Sequence, residues 1–206
     1  MILLLKNQWD IKKIKDDNKK LIDELLESRN VFDPLEKEKF INTPCEIFHD
    51  PFLFNDMQKA CNLIISKIKN KEKIVIYGDY DVDGITSVAS IYMFLKNSGA
   101  DIDYIIPDRI TEGYGLGQAG IEKVITKKAS LLITVDCGIS SVDEVKILKD
   151  KGIDVIITDH HECKPELPPA DAIINPKIEG NKYPFVGLAG AGVTLKLIQG
   201  LCLSGE

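Results

Sequence analysis

The sequence predicts an α/β fold, a parallel sheet with helices on both faces behind a mostly helical amino-terminal extension. Three observations lead there. Four apolar runs each stop on an aspartate: Ile74-Val75-Ile76-Tyr77-Gly78-Asp79, Tyr104-Ile105-Ile106-Pro107-Asp108, Leu131-Leu132-Ile133-Thr134-Val135-Asp136 and Val155-Ile156-Ile157-Thr158-Asp159. The segments between them are long enough for crossover helices, and their apolar residues recur at helical spacing. Continuous apolar runs suit strands buried on both faces. Parallel strands would bring these aspartates to one edge, where open α/β sheets bind ligands.

Taken in order, residues 1–70 read as a helical extension packing on the core, and 71–206 as the sheet domain. The best early helix spans 55–69. Met57, Ala60, Cys61, Ile64, Ile65 and Ile68 give it one apolar face, and Asn55 or Asp56 is a candidate cap. After the first strand, Val88, Ile91, Tyr92 and Leu95 form a stripe in a helix over 85–97, which stops near Ser98-Gly99. Helices over 120–127 and 142–150 fill the later gaps. Ala172-Ile173-Ile174-Asn175-Pro176 resembles a fifth strand. A glycine-rich stretch, Gly187 to Gly192, leads into a last helix over 193–203.

The 206 residues allow one sizeable core, and the net charge of -6 gives no basic face for nucleic acid. The excess acid is either a solvated surface or a metal cage. The five cysteines, Cys45, Cys61, Cys137, Cys163 and Cys202, form no CxxC pair, so zinc-ribbon and thioredoxin-like chemistry is set aside. Reduced thiols suit a cytoplasmic protein. Met1 to Leu5 is too short for a signal-peptide apolar region, and no run approaches membrane-spanning length.

The sharpest local signal is Asp79-Tyr80-Asp81-Val82-Asp83-Gly84. Extended past the strand, it would aim three carboxylates to one side. Unpaired, they would raise one another's pKa values, a cost that divalent cations remove. Gly84 would let the chain turn into the next helix. Asp136 could cap a helix or bridge two metals. Two of the three histidines follow the fourth strand in Asp159-His160-His161-Glu162. One ring could ligate a metal while the other faces substrate, with Asp159 holding a ring nitrogen. Carboxylates with one or two imidazoles favour Mn²⁺ or Mg²⁺ over structural zinc and point to metal-assisted phosphoester hydrolysis. Arg109 could grip phosphate or pair with Asp108 or Glu112. Gly115-Leu116-Gly117-Gln118-Ala119-Gly120 matches a dinucleotide-binding pattern, but it follows no strand directly and is read as a decoy.

With these motifs assembled, the chain resembles the DHH phosphoesterase family, named for the triplet Asp159-His160-His161, and within it the RecJ-type single-stranded-DNA-specific exonucleases. The likeness runs from Leu25-Leu26-Glu27-Ser28-Arg29-Asn30 and Asp50-Pro51-Phe52 through Tyr77 to Gly84, Ile106 to Arg109, and Glu112-Gly113-Tyr114-Gly115-Leu116. It continues over Thr134 to Gly138, Thr158 to Glu162, and Leu188 to Val193. The resemblance implies a 5′→3′ exonuclease releasing mononucleotides with Mn²⁺ or Mg²⁺, acting in DNA repair and recombination alongside a helicase and a single-strand-binding protein. It implies two ions held by Asp81 and Asp83, bridged by Asp136 and ligated by His160, with His161 on the scissile phosphate. Many relatives carry a histidine ligand where this chain has Tyr77, and Asp79 is the candidate to compensate. The family has a further metal-binding aspartate and a second domain beyond the glycine-rich helix, so the chain is expected to be an N-terminal fragment, weak in metal binding and activity. Three other readings stay open. One is a DHH enzyme for short oligonucleotides, cyclic dinucleotides or pyrophosphate. Another is a haloacid-dehalogenase-type phosphatase with a nucleophilic Asp81. The last is a non-catalytic DHH relative.

Overall fold

The computed structural model describes residues 20–42 and 48–205; Met1 to Leu5 and Cys45 lie outside them. The chain divides into two compact units between Phe48 and His49. In the first, α1 (Leu21–Glu27) is followed by α2 (Pro34–Ile41). Asp33 caps α2 by accepting from Leu35 N and Glu36 N, and Pro34 opens its first turn. Lys37 ties the helices together through Asp23 and Glu27, at 3.3 and 2.9 Å.

In the second unit a short 3-10 turn (Pro51–Leu53) leads into α3 (Met57–Lys69). This helix was grouped by sequence with the extension, but it belongs to the sheet unit. Met57, Ala60, Cys61 and Ile64 on its apolar face are fully buried. Neither expected cap acts as one. Asp56 precedes the helix without a side-chain cap bond, and its carboxylate instead accepts from Ile173 N at 3.0 Å. Asn55 donates to the Gly180 carbonyl.

The sheet follows: β1 (Ile74–Gly78), α4 (Val82–Asn97), β2 (Ile102–Ile105), α5 (Gln118–Thr126), β3 (Leu131–Val135), α6 (Val142–Asp150), β4 (Asp154–Thr158), β5 (Ala172–Ile174) and α7 (Gly190–Ser204). All strand pairs are parallel, in the order β2-β1-β3-β4-β5. β1, β3 and β4 read as continuous apolar runs because both faces are covered; the edge strand β2 is only partly buried and ends at Ile105, three residues short of Asp108 and not on it. Ile74, Ile76, Leu131, Ile133 and Ile156 pack in one cluster with residues of α3, α4 and α7. Val75, Tyr77, Leu132, Val155 and Ile157 pack in the other with residues of α5 and α6. The period of two along each strand sorts them.

Register places the site. Gly78 pairs with Val135, Val135 with Thr158, and Thr158 with Ile174. The next residues, Asp79, Asp136, Asp159 and Asn175, therefore leave the sheet side by side. From β1 the chain crosses to β2 on one side and then to β3 on the other. Connections diverge there and leave a crevice between β1 and β3.

Two helices begin earlier than their apolar stripes suggest. α4 starts at Val82 and not near Ile85; α7 starts at Gly190 and not at Val193. Each early start draws residues next to the edge into a first helical turn.

Candidate metal centre

Asp79 continues β1 into the interior and is 4 % exposed. Its Oδ1 is buried and accepts no hydrogen bond among the described residues. Burial raises its pKa, and the charge of Asp81 adds to this. The extended reading of Asp79 to Asp83 is corrected here, because the chain turns into α4 immediately. Asp81 is the residue before the helix, and its Oδ1 accepts from Asp83 N at 2.9 Å and Gly84 N at 3.0 Å. Gly84 has no positive φ; it is small because the helix start crosses β1 closely. A β carbon there would lie 2.5 Å from the Asp79 carbonyl oxygen.

Asp83, already helical, points to a distant partner. Its Oδ2 accepts from Gly190 N and its Oδ1 from Ala191 N, both at 2.7 Å. It thus caps α7 from a different helix, where the positive end of the helix dipole favours a carboxylate. Asp83 was expected as a free metal ligand, and the structure gives both its oxygens this second task. Each oxygen retains a further lone pair.

Asp136 follows β3 with φ of 60°, a left-handed conformation that aspartate tolerates better than most residues. Its N–H still donates to Thr158 O, so the turn aims the side chain without breaking the edge. It is 2 % exposed. Burial, then the charges of Asp83 and Asp81, pushes its pKa up to about 7. Its Oδ1 lies 3.1 Å from His160 Nε2 but out of line for a hydrogen bond. His160 Nε2 is also 3.7 Å from Asp83 Oδ2.

Asp159 is fully buried, and both its oxygens are engaged. Its Oδ1 accepts from His160 N, His161 N and His161 Nδ1 at 2.7, 3.1 and 2.7 Å, and its Oδ2 accepts from Ile139 N at 3.0 Å. A carboxylate can only accept, so Nδ1 of His161 carries the proton. The ring that Asp159 holds is His161, and His160 is left facing the acids.

Two triads of donor atoms result, each with all members within 4.8 Å: Asp79, Asp81 and Asp136, and Asp136, His160 and His161. They share Asp136. Buried carboxylate oxygens without donors are costly, and divalent cations would satisfy them. The oxygen-rich set fits Mn²⁺ or Mg²⁺. Tyr77 is no ligand here; its hydroxyl donates to Gly115 O at 2.9 Å.

Residues 73–206 match the model of the DHH family, N-terminal domain. The chain belongs to the DHH family. This DHH chain is 42 % identical to the single-stranded-DNA-specific exonuclease RecJ of Bacillus subtilis, over 97 % of its own length and 27 % of that protein. It is 40 % identical to the RecJ of Haemophilus influenzae, over 88 % of its own length and 31 % of that protein. It therefore spans under a third of these relatives. Among solved structures it is similar to exonuclease RecJ bound to manganese, with a TM-score of 0.69 and 31 % identity, covering 74 % of this chain and 39 % of that one. Its similarity to RecJ of Thermus thermophilus in complex with Mn²⁺ has a TM-score of 0.60 and 29 % identity, covering 73 % of this chain and 21 % of that one.

The remaining candidates sort clearly in the DHH frame. Arg109 pairs with neither Asp108 nor Glu112. Asp108 closes its own loop by accepting from Ile110 N and Thr111 N, and Glu112 pairs with Lys123. The Arg109 guanidinium lies over the Tyr80 ring, 5.4 Å from its centroid. The glycine-rich decoy forms the entry to α5. There Gly120 makes room for Tyr77, whose ring a β carbon would approach to 2.8 Å. Sequence reasoning missed Tyr114 as a site residue. Its hydroxyl lies 3.1 Å from His161 Nδ1 and 3.4 Å from Nε2. The available signal was an aromatic between two glycines, Gly113 and Gly115, both at positive φ. That geometry lifts a loop side chain toward the edge.

Proposed function

We propose that this DHH chain is the metal-holding part of a 5′→3′ exonuclease that hydrolyses phosphodiester bonds in single-stranded DNA. The observation that carries the reading is the pair of donor triads sharing Asp136, with buried oxygens of Asp79 and Asp136 left without hydrogen bonds. Asp79, Asp81, Asp136 and His160 would hold two ions of Mn²⁺ or Mg²⁺, with Asp83 adding charge from the start of α4. Bound there, the ions would neutralise the acids and supply the Lewis acidity and activated water that phosphodiester hydrolysis needs.

The chain's own residues do the positioning. Asp159 fixes the Nδ1 proton of His161, and a second proton on Nε2 would let that nitrogen donate to a phosphate oxygen. Arg109, held over Tyr80, offers a guanidinium fork to the backbone of the strand. The likeness to RecJ exonucleases supports DNA as substrate. An unpaired substrate implies a source of single strands, so a helicase and a single-strand-binding protein fit as partners, in cytoplasmic DNA repair and recombination. Among the described residues no helix is long and apolar enough to cross a membrane.

The test joins this chain to the remaining carboxyl-terminal length of the Bacillus subtilis relative and supplies 5′-phosphorylated DNA with Mn²⁺. Single strands should be degraded to mononucleotides and duplex spared. Equal attack on duplex, or no attack on either by a protein that binds Mn²⁺, would overturn the reading.

A further inference from the structure

A cavity of about 360 Å³ opens beside the metal centre, in the crevice between the β2–α5 loop and the start of α6. Its walls include Tyr114, Leu116, Ile139, Ser140, Ser141 and Glu144, and His161 stands where it meets the donor triads. Its size is at the lower end for small-ligand pockets. We propose that it is a nucleobase subsite, which receives the base of a nucleotide whose phosphate lies at the metal centre. This deepens the proposed function and rests on it.

The lining decides the ligand class. No lysine or arginine lines the cavity, while Glu144 and Asp159 do, so away from His161 a phosphate would find no cationic side chain and would face acids. A neutral, planar group with hydrogen-bonding edges suits it better. Ser141 is 8 % exposed. Its hydroxyl makes no cap bond to α6 and has no partner among the described residues, although it lines the cavity. Lining the cavity, that hydroxyl could donate to or accept from a base edge. Glu144 adds an acceptor for exocyclic amino groups. Tyr114 is 54 % exposed, and its hydroxyl is turned to His161. Its ring meets the His161 ring at 71° with centroids 5.6 Å apart, and its exposed part could stack, a contact every base can make. The Tyr114 hydroxyl and ring would thus link the base to the histidine proposed to meet the phosphate.

The experiment uses the full 206-residue chain and reads backbone amide shifts over residues 139–144. Deoxyadenosine and thymidine are titrated against 2-deoxyribose, and Mn²⁺ affinity is measured separately. Both nucleosides should move these amides and 2-deoxyribose should not. Ser140→Trp, at an exposed rim position, should fill the cavity and weaken both nucleosides about tenfold or more, the equivalent of one lost stacking contact. Ser141→Ala should weaken them less. Amides unmoved by nucleosides, shifts equal with 2-deoxyribose, or binding indifferent to Ser140→Trp would each overturn the subsite. Nucleoside binding without any Mn²⁺ binding would leave the subsite standing and remove the proposed function instead.

Discussion

Gly190 has no room for a side chain, because Asp136 Oδ1 occupies the space a β carbon would take. The first residue of α7 and the acid that follows β3 are thus in direct contact, and Asp83 closes the same junction through Gly190 N and Ala191 N. The glycine-rich stretch is therefore part of the centre's wall. Gly190→Ala should displace α7 or the Asp136 carboxylate, costing about 1–3 kcal/mol as overpacking does. Thermal unfolding should report that loss, and Mn²⁺ titration a matching fall in affinity.

Both oxygens of Asp159 are engaged inside the protein, so Asp159→Asn should act through His161. An amide in its place presents a donor to one of the N–H groups that Asp159 now satisfies, costing about 1–3 kcal/mol of stability. The His161 tautomer would no longer be fixed. In the enzyme assembled as proposed, kcat should fall and its pH profile shift, with KM for single-stranded DNA changed little. A variant with wild-type kcat would show that His161 needs no such support.

The Asp136 carboxyl, with its pKa raised from 3.8 to about 7 in the metal-free fold, sets a pH dependence of definite sign. Its ionisation is disfavoured in the folded state relative to the unfolded one. Metal-free stability is therefore full below the unfolded value and is lost progressively as pH rises from about 4 through about 7. Asp136→Asn removes that slope, so wild type minus variant should fall across this interval in urea titrations. Mn²⁺ binding should strengthen over the same interval as the competing proton leaves.

Arg109 makes no ion pair among the described residues and lies against Tyr80. Arg109→Ala should weaken single-stranded DNA binding without regard to sequence and lower the salt dependence of log Kd by about one phosphate contact. Fluorescence anisotropy at several salt concentrations measures both, and an unchanged slope would remove Arg109 from the strand's path.

β1, β3 and β4 were legible because burial on both faces writes them as continuous apolar runs, and the edge was legible because Asp79, Asp136 and Asp159 each follow such a run; β2, a partly exposed edge strand over Ile102–Ile105, was misplaced toward Asp108. Spacing also read Asp159 as a support for a neighbouring ring. The reading of Asp79, Asp81 and Asp83 as an extended, one-sided row failed, because Asp81 is also a good helix cap and α4 begins beside it. Asp83's bond to Gly190 spans 107 residues, and Tyr114 meets His161 across 47. Contacts of that kind are set by the crossing of helices and loops over the sheet, which no local pattern encodes. The boundary before α3 was missed for a related reason: its apolar face was read as packing against the sheet, but no local pattern set it apart from the helices that precede it.

The central claim is that the β1–β3 edge is a metal centre built around Asp136. Crystals of this chain soaked in Mn²⁺ and measured at the manganese absorption edge test it most directly. The account predicts anomalous density within ligand distance of Asp136, flanked by Asp79 and Asp81 on one side and His160 on the other, and its loss in Asp136→Ala. Manganese bound elsewhere, or density at this edge that survives Asp136→Ala, would contradict it.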